Sequence, residues 1–349
     1  MKIASVVFAA LALASLDPTT HAKGTGPKVG DAAPELRVGE WIKGEPVRRF
    51  ERGHVYVVEF WATWCAPCIQ AMPHLSDLQR QYVDKGVTVI AVNVMERDLD
   101  AARAFVKKRE KTIENRVAVD AAAAGENEGV MAKAWLGKDR AIPRCVIVDR
   151  DTKVAWIGHP MEVDGPLRAV VAGTFDAAKQ AEIEKKLLEL NRQFALAMKD
   201  KQWRKVPEIL DQIHAVDPFI TPTYHPYRIK AWIALGDYSA AHKFVKDVAI
   251  ESDDLRLMGK LVGELLKAPD QSQLDLDFVL ATAKRAARNG ESDDPFALSA
   301  LARASEAKED YAGAIKAWTK MLELDDGLVV RESVKARLEE LRMKQSNKK

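Results

Sequence analysis

The chain has 349 residues, more than one ordinary hydrophobic core accommodates, so two folded units are expected. Its 53 basic and 51 acidic side chains leave a formal charge of +2, which gives no electrostatic case for nucleic acid. Three cysteines are too few for a disulfide framework in a secreted chain of this size, so the thiols serve chemistry or occur by accident.

Lys2 gives a short positive start, and "IASVVFAALALASL" (residues 3–16) is an apolar run without charge. Thr20 and Ala22 are small residues at the expected cleavage point. The pattern predicts a signal peptide over residues 1–22 and an extracytoplasmic protein, periplasmic or otherwise exported. An uncleaved N-terminal anchor is the other reading of the same segment. No other stretch is apolar enough to cross a membrane.

Residues 28–175 alternate strand-like and helix-like patterns. A strand is predicted at 55–62 and a helix at 68–84, from apolar spacing at Ile69, Met72, Leu75, Leu78 and Tyr82. A buried strand follows at 87–94, then a helix over about 98–111 and a short helix at 129–137. Residues 144–150 and 153–158 flank Asp151-Thr152 as a hairpin, and a last helix runs over about 163–173. Strand–helix–strand units followed by a hairpin indicate an α/β domain whose mixed sheet is covered on both faces.

From residue 178 to 345 strand patterns vanish, and the sequence is Ala-, Leu- and Lys-rich helix with short breaks. A degenerate repeat recurs at Trp203, Leu274, Tyr238 and Tyr311, at the period of tetratricopeptide-type helix pairs; an irregular bundle is the alternative. Trp203, Tyr238 and Trp318 then read as core packing, and 328–344 as a cap. With no Gly/Ser- or Pro-rich linker near 174–180, the helical domain is expected to pack directly on the first.

Cys65 and Cys68 lie in "VVEFWATWCAPCIQAMP" (57–73), directly after a strand. A two-residue gap puts both sulfurs on one turn. At a helix start, free N–H groups and the helix dipole stabilise a thiolate at Cys65. Cys68, one turn in, can close a disulfide or displace a mixed disulfide formed at Cys65. Pro67 is tolerated in a first turn, and Trp61 and Trp64 shield the site. A structural zinc site needs four ligands, and the chain has neither a second CxxC nor a His pair at short spacing, so no metal is expected. A buried carboxyl at Glu59 would have a raised pKa suited to proton transfer, whereas a strand-end carboxylate in water would not.

"VEFWATWCAPC" resembles the thioredoxin family. Four further residues carry the resemblance. Glu59 stands where thioredoxins keep a buried acid that relays a proton to or from the second cysteine, and Pro73 where they kink the active-site helix. Ile142-Pro143 stands where they place a cis-proline facing the disulfide, and Gly158 where a glycine lines the substrate groove. The opening "VGDAAPELRVGEWIKGEP" and the extra segment 95–128 look more like the TlpA/ResA branch of extracytoplasmic disulfide reductases. Ala71 departs from that branch, which often carries an acid there.

The resemblance implies a thioredoxin-like domain over 28–175 with a redox-active Cys65–Cys68 disulfide. Cys65 would be the nucleophile, Cys68 the resolving thiol, Glu59 the proton carrier and Pro143 the holder of substrate backbone. Trp64, Ile142, Gly158 and His159 would border the substrate. A disulfide reductase is expected, acting on protein disulfides and fed by a membrane thiol electron donor, with no organic cofactor and with helical repeats that bind a protein partner. Cys145 reads as a small buried hydrophobe, against a third redox or copper ligand. A partner-binding scaffold is the second class of function. A peroxiredoxin-like peroxidase is the third, although Thr63 lies too close to Cys65 for the Pro-x-x-x-Thr-x-x-Cys pattern; copper delivery ranks last.

Overall fold

The computed structural model describes residues 26–122, 128–138, 140–324 and 331–347. The predicted signal peptide lies outside the described residues. Six strands form one mixed sheet: β1 (Val38–Lys43), β2 (Val55–Trp61), β3 (Val87–Asn93), β4 (Arg116–Asp120), β5 (Arg144–Val148) and β6 (Val154–Gly158). Their order is β1-β4-β3-β2-β5-β6. β2 and β4 run parallel to β3, while β1, β5 and β6 each pair antiparallel. The two central strands, VYVVEFW and VTVIAVN, are buried at every position, as β-branched and aromatic strands covered on both faces should be.

One face packs Tyr56, Val58, Phe60, Ile90 and Val92 against Met131, Trp135 and Leu136. The other face is covered by α1 (Ala66–Tyr82), α2 (Leu99–Lys108) and α3 (Asp164–Ala172). This is the expected thioredoxin-like domain, with three adjustments. The first helix begins at Ala66, two residues before the start predicted at 68, because Pro67 fits a first turn that needs no N–H there. β1 and β4 were not legible: both are short, and β1 is irregular, with register shifts against β4. Residues 132–136 form a π-type turn; the Asp120 carboxylate accepts the Met131 and Ala132 N–H groups at 2.8 and 2.9 Å and fixes its entry.

The helical half follows as α4 (Ala177–Lys199), α5 (Lys205–Val216), α6 (His225–Ala234), α7 (Tyr238–Glu251), α8 (Leu255–Leu265), α9 (Leu276–Ala286), α10 (Pro295–Ala307), α11 (Tyr311–Leu324) and α12 (Arg331–Asn347). Consecutive helices pack in pairs, and α5, α7, α9 and α11 start within a few residues of the repeated positions. Small residues let α8 and α10 approach closely: a Cβ on Gly259 would stand 2.8 Å from the Ala297 Cα. Trp318 is buried, whereas Trp203 and Tyr238 are half-buried against the two helical cores. α12 buries Val334, Leu338 and Leu341 against the end of the stack. The two halves touch through the Trp156 indole N–H, which donates to Glu184 at 2.9 Å, and through Arg168, which stacks on Phe219.

Candidate active site

β2 delivers the chain to the start of α1. Cys65 is the N-cap of α1, in extended backbone, and its Sγ accepts the Cys68 N–H at 3.3 Å while bonded to the Cys68 sulfur. Cys65 keeps 5% exposure and Cys68 none, so an incoming sulfur can reach only the first. Pro73 lies inside α1, one turn beyond the pair.

The loop before Cys65 is pinned from β3. The Glu96 carboxylate accepts the Thr63 N–H at 2.8 Å, the Thr63 hydroxyl at 2.9 Å and the Asn93 side-chain N–H at 3.0 Å. Trp64, half of it exposed, donates its indole N–H to the Met95 carbonyl at 3.1 Å. Trp61 is fully buried against Phe105, so of the two tryptophans it is the one that shields the sulfurs. Thr63 spends its hydroxyl on Glu96. Sequence reasoning missed Glu96, because nothing in local periodicity links residues 63 and 96.

Beneath the disulfide, strand register lines up Ala91, Glu59, Cys145 and Gly158 across β3, β2, β5 and β6. Ala91 packs in the same cluster as Cys68, which places Glu59 at the floor of the redox pair. Glu59 has no exposure, and neither carboxylate oxygen has a protein hydrogen-bond partner; burial pushes its carboxyl well above the usual range. The alternative of a solvated strand-end carboxylate does not match this burial. Cys145 is buried and free, its thiol pushed up by burial and then by the facing Glu59. It packs with Leu75, Trp156 and Leu167 as a small hydrophobe would.

Ile142-Pro143 is a cis peptide bond at the entry to β5, and Ile142 packs against the cluster that holds both sulfurs. Gly158 has a structural reason to be glycine: a Cβ there would stand 2.2 Å from the Trp156 ring. His159 is half-buried and caps the following turn, its Nδ1 accepting the Met161 N–H at 3.2 Å. Burial holds its imidazole below the usual value, so it supplies no cation near neutral pH. His74 on α1 pairs with Asp164 at the start of α3 at 2.8 Å, a second contact the sequence did not reveal.

A helix-start cysteine pair over a buried acid is a site for thiol–disulfide exchange, and the sequence relatives agree. The Redoxin family matches residues 28–170. The thiol-disulfide oxidoreductase ResA of Bacillus thuringiensis subsp. konkukian is 30% identical over 128 residues, covering 36% of this chain and 67% of that protein. The chain belongs to the ResA-type thiol–disulfide oxidoreductases. Protein FixW of Rhizobium leguminosarum is 29% identical over 194 residues, covering 50% of this chain and 85% of that protein. A thiol-disulfide isomerase structure from Corynebacterium glutamicum is 24% identical with a TM-score of 0.34, covering 41% of this chain and 96% of that one. In this oxidoreductase the Redoxin match ends within α3, so the nine helices α4 to α12 of the described residues lie beyond it.

Proposed function

We propose that this oxidoreductase is an exported disulfide reductase. In the reduced enzyme, the Cys65 thiolate attacks one sulfur of a protein disulfide; a mixed disulfide forms and the first substrate thiolate leaves. Glu59, as carboxylate, takes the Cys68 proton. The Cys68 thiolate then attacks Cys65 Sγ, releasing the second substrate thiolate and leaving the Cys65–Cys68 disulfide. Two electrons and two protons pass to the substrate, and a membrane dithiol donor resets the pair. The observation that carries this reading is a bonded cysteine pair at a helix N-cap above a buried, unpartnered carboxyl.

Trp64, Ile142, Pro143, Gly158 and His159 would border the incoming peptide. Pro143 has no N–H to satisfy at that approach. The N-terminal sequence at residues 1–22 supports export, and the paired helices from α4 onward support a tetratricopeptide-like module that recruits a protein partner.

The test is trapping with Cys68→Ala, which removes the resolving thiol, so substrates should stay bonded to Cys65 and be released by reductant. Absence of Cys65-dependent adducts, together with no reduction of protein disulfides by the wild-type dithiol form, would overturn the reductase reading.

A further inference from the structure

The sheet face that carries Glu59 and Cys145 is roofed by α1, α3 and the Trp156 indole, and the helical half holds two of these three. Cys145 shares its cluster with Leu75 of α1, with Leu167 and Val170 of α3, and with Trp156. Trp156 pairs in register with Ile147, two residues along from the Cys145–Gly158 pair and on the same face, and its ring lies where a Gly158 Cβ would be. The ring therefore flanks Cys145 on the β6 side. Its N–H is bonded to Glu184 of α4 at 2.9 Å, and Glu184 also accepts the Gln180 side-chain N–H at 3.2 Å. On α3, the Arg168 guanidinium lies 4.4 Å from the Phe219 ring centroid. Gly165, also on α3, faces Asp217, whose carboxylate accepts the Phe219 N–H at 2.9 Å.

We propose that Glu184 and Phe219 are positioning residues for thiol exchange: from the helical half they clamp Trp156 and α3 over Glu59 and Cys145, and so keep the floor of the redox centre dry. The inference rests on Glu59 being the group that trades a proton with Cys68. A carboxyl without a protein partner keeps its raised pKa only while water is excluded. The groups around Glu59 are Cys145 on β5 and the sulfur pair on α1, with Asp164 of α3 acting on Cys145 and paired to His74. None of them can replace a displaced roof. On this proposal the helical half would serve the redox centre in addition to any partner it binds.

The chain carries its own reporter. With Cys65 and Cys68 bonded, Cys145 is the one free thiol among three cysteines. Oxidised full-length protein is treated with N-ethylmaleimide, and the dithiol form is assayed for exchange with a small disulfide. The Glu184→Leu/Phe219→Ala double variant should label at Cys145 about tenfold faster, the factor for losing one charge-assisted hydrogen bond. Its exchange at Cys65 should slow several-fold. Glu184→Gln keeps an acceptor for the indole N–H and should label as the wild type does.

Both altered side chains are exposed, Phe219 at 40%, so neither core loses its packing. Wild-type labelling in the double variant would overturn the clamp. So would faster labelling with unchanged exchange, a Glu184→Gln variant that behaves like the double, or labelling that merely tracks a lower urea midpoint. A wild-type chain without exchange at Cys65 would instead overturn the reading of the site, and the labelling rates alone would then decide the clamp.

Discussion

Glu59→Gln separates the stability of the fold from its chemistry. The substitution keeps the shape of a side chain with no exposure and removes its charge. Because burial raises the Glu59 carboxyl in the folded protein, the unfolded chain loses its proton first as pH rises. Stability from this group is then full below about 4.5, the usual carboxyl value, and is lost as pH climbs towards the folded value. Across that window wild-type stability should fall by about 1.4 kcal/mol per pH unit relative to Glu59→Gln, and then level off. The Cys145 thiol facing Glu59 is itself pushed well above 9.0, so it does not titrate within the window. Urea unfolding of the oxidised proteins at a series of pH values measures the difference directly, and the pH at which it levels off reads the folded pKa. In the same variant, exchange with a small disulfide should slow while the fold persists. A difference that stays flat with pH would show that Glu59 ionises as it does in water, and unchanged exchange kinetics would remove it from the mechanism.

Other expectations follow from single contacts. After reduction, iodoacetamide should modify Cys65 well ahead of Cys68 and Cys145, since only Cys65 keeps any exposure; mass mapping that finds Cys145 first would contradict the assignment. Glu96→Ala removes the acceptor of both Thr63 hydrogen bonds, so it should cost about 1–3 kcal/mol in urea unfolding and alter the alkylation rate of Cys65; unchanged values would make Glu96 a surface carboxylate. Gly158→Ala forces a Cβ into the Trp156 ring and should destabilise by roughly 1–3 kcal/mol, unless the indole has somewhere to move.

What the sequence made legible was local. β2, β3 and the hairpin strands are runs of Val, Ile and aromatic residues, and α1 shows helical apolar spacing, so the central fold follows from periodicity. Cys65, Cys68, Glu59 and Pro143 stand out because their spacing is tied to one strand–helix junction and one strand entry. What stayed hidden depends on pairing between distant segments. β4 is five residues long, and β1 meets it through register shifts that break alternation. Glu96 is an ordinary acid until the β3 loop folds beside Thr63, and Glu184 until α4 reaches Trp156. Gly158 was noticed for the groove, yet the ring that requires it lies two residues back on the same strand.

The two cysteines are chemically unequal before any substrate arrives. Cys65 caps α1 and receives the Cys68 N–H, and no acidic residue occupies the first turn to offset the positive helix end. A thiolate is therefore favoured there. Cys68 sits one turn deeper with no exposure, over a floor whose carboxyl, Glu59, burial pushes well above the usual range. A thiol is favoured there. Relatives in the TlpA/ResA branch often carry a further acid where this chain has Ala71, which is buried. On the proposed mechanism, the deeper cysteine would lose its proton to the ionised form of Glu59 once the mixed disulfide at Cys65 offers an electrophile. That order of events would keep Cys68 from competing as the first nucleophile, and it would place the proton transfer on a residue packed beneath α1, α3 and Trp156.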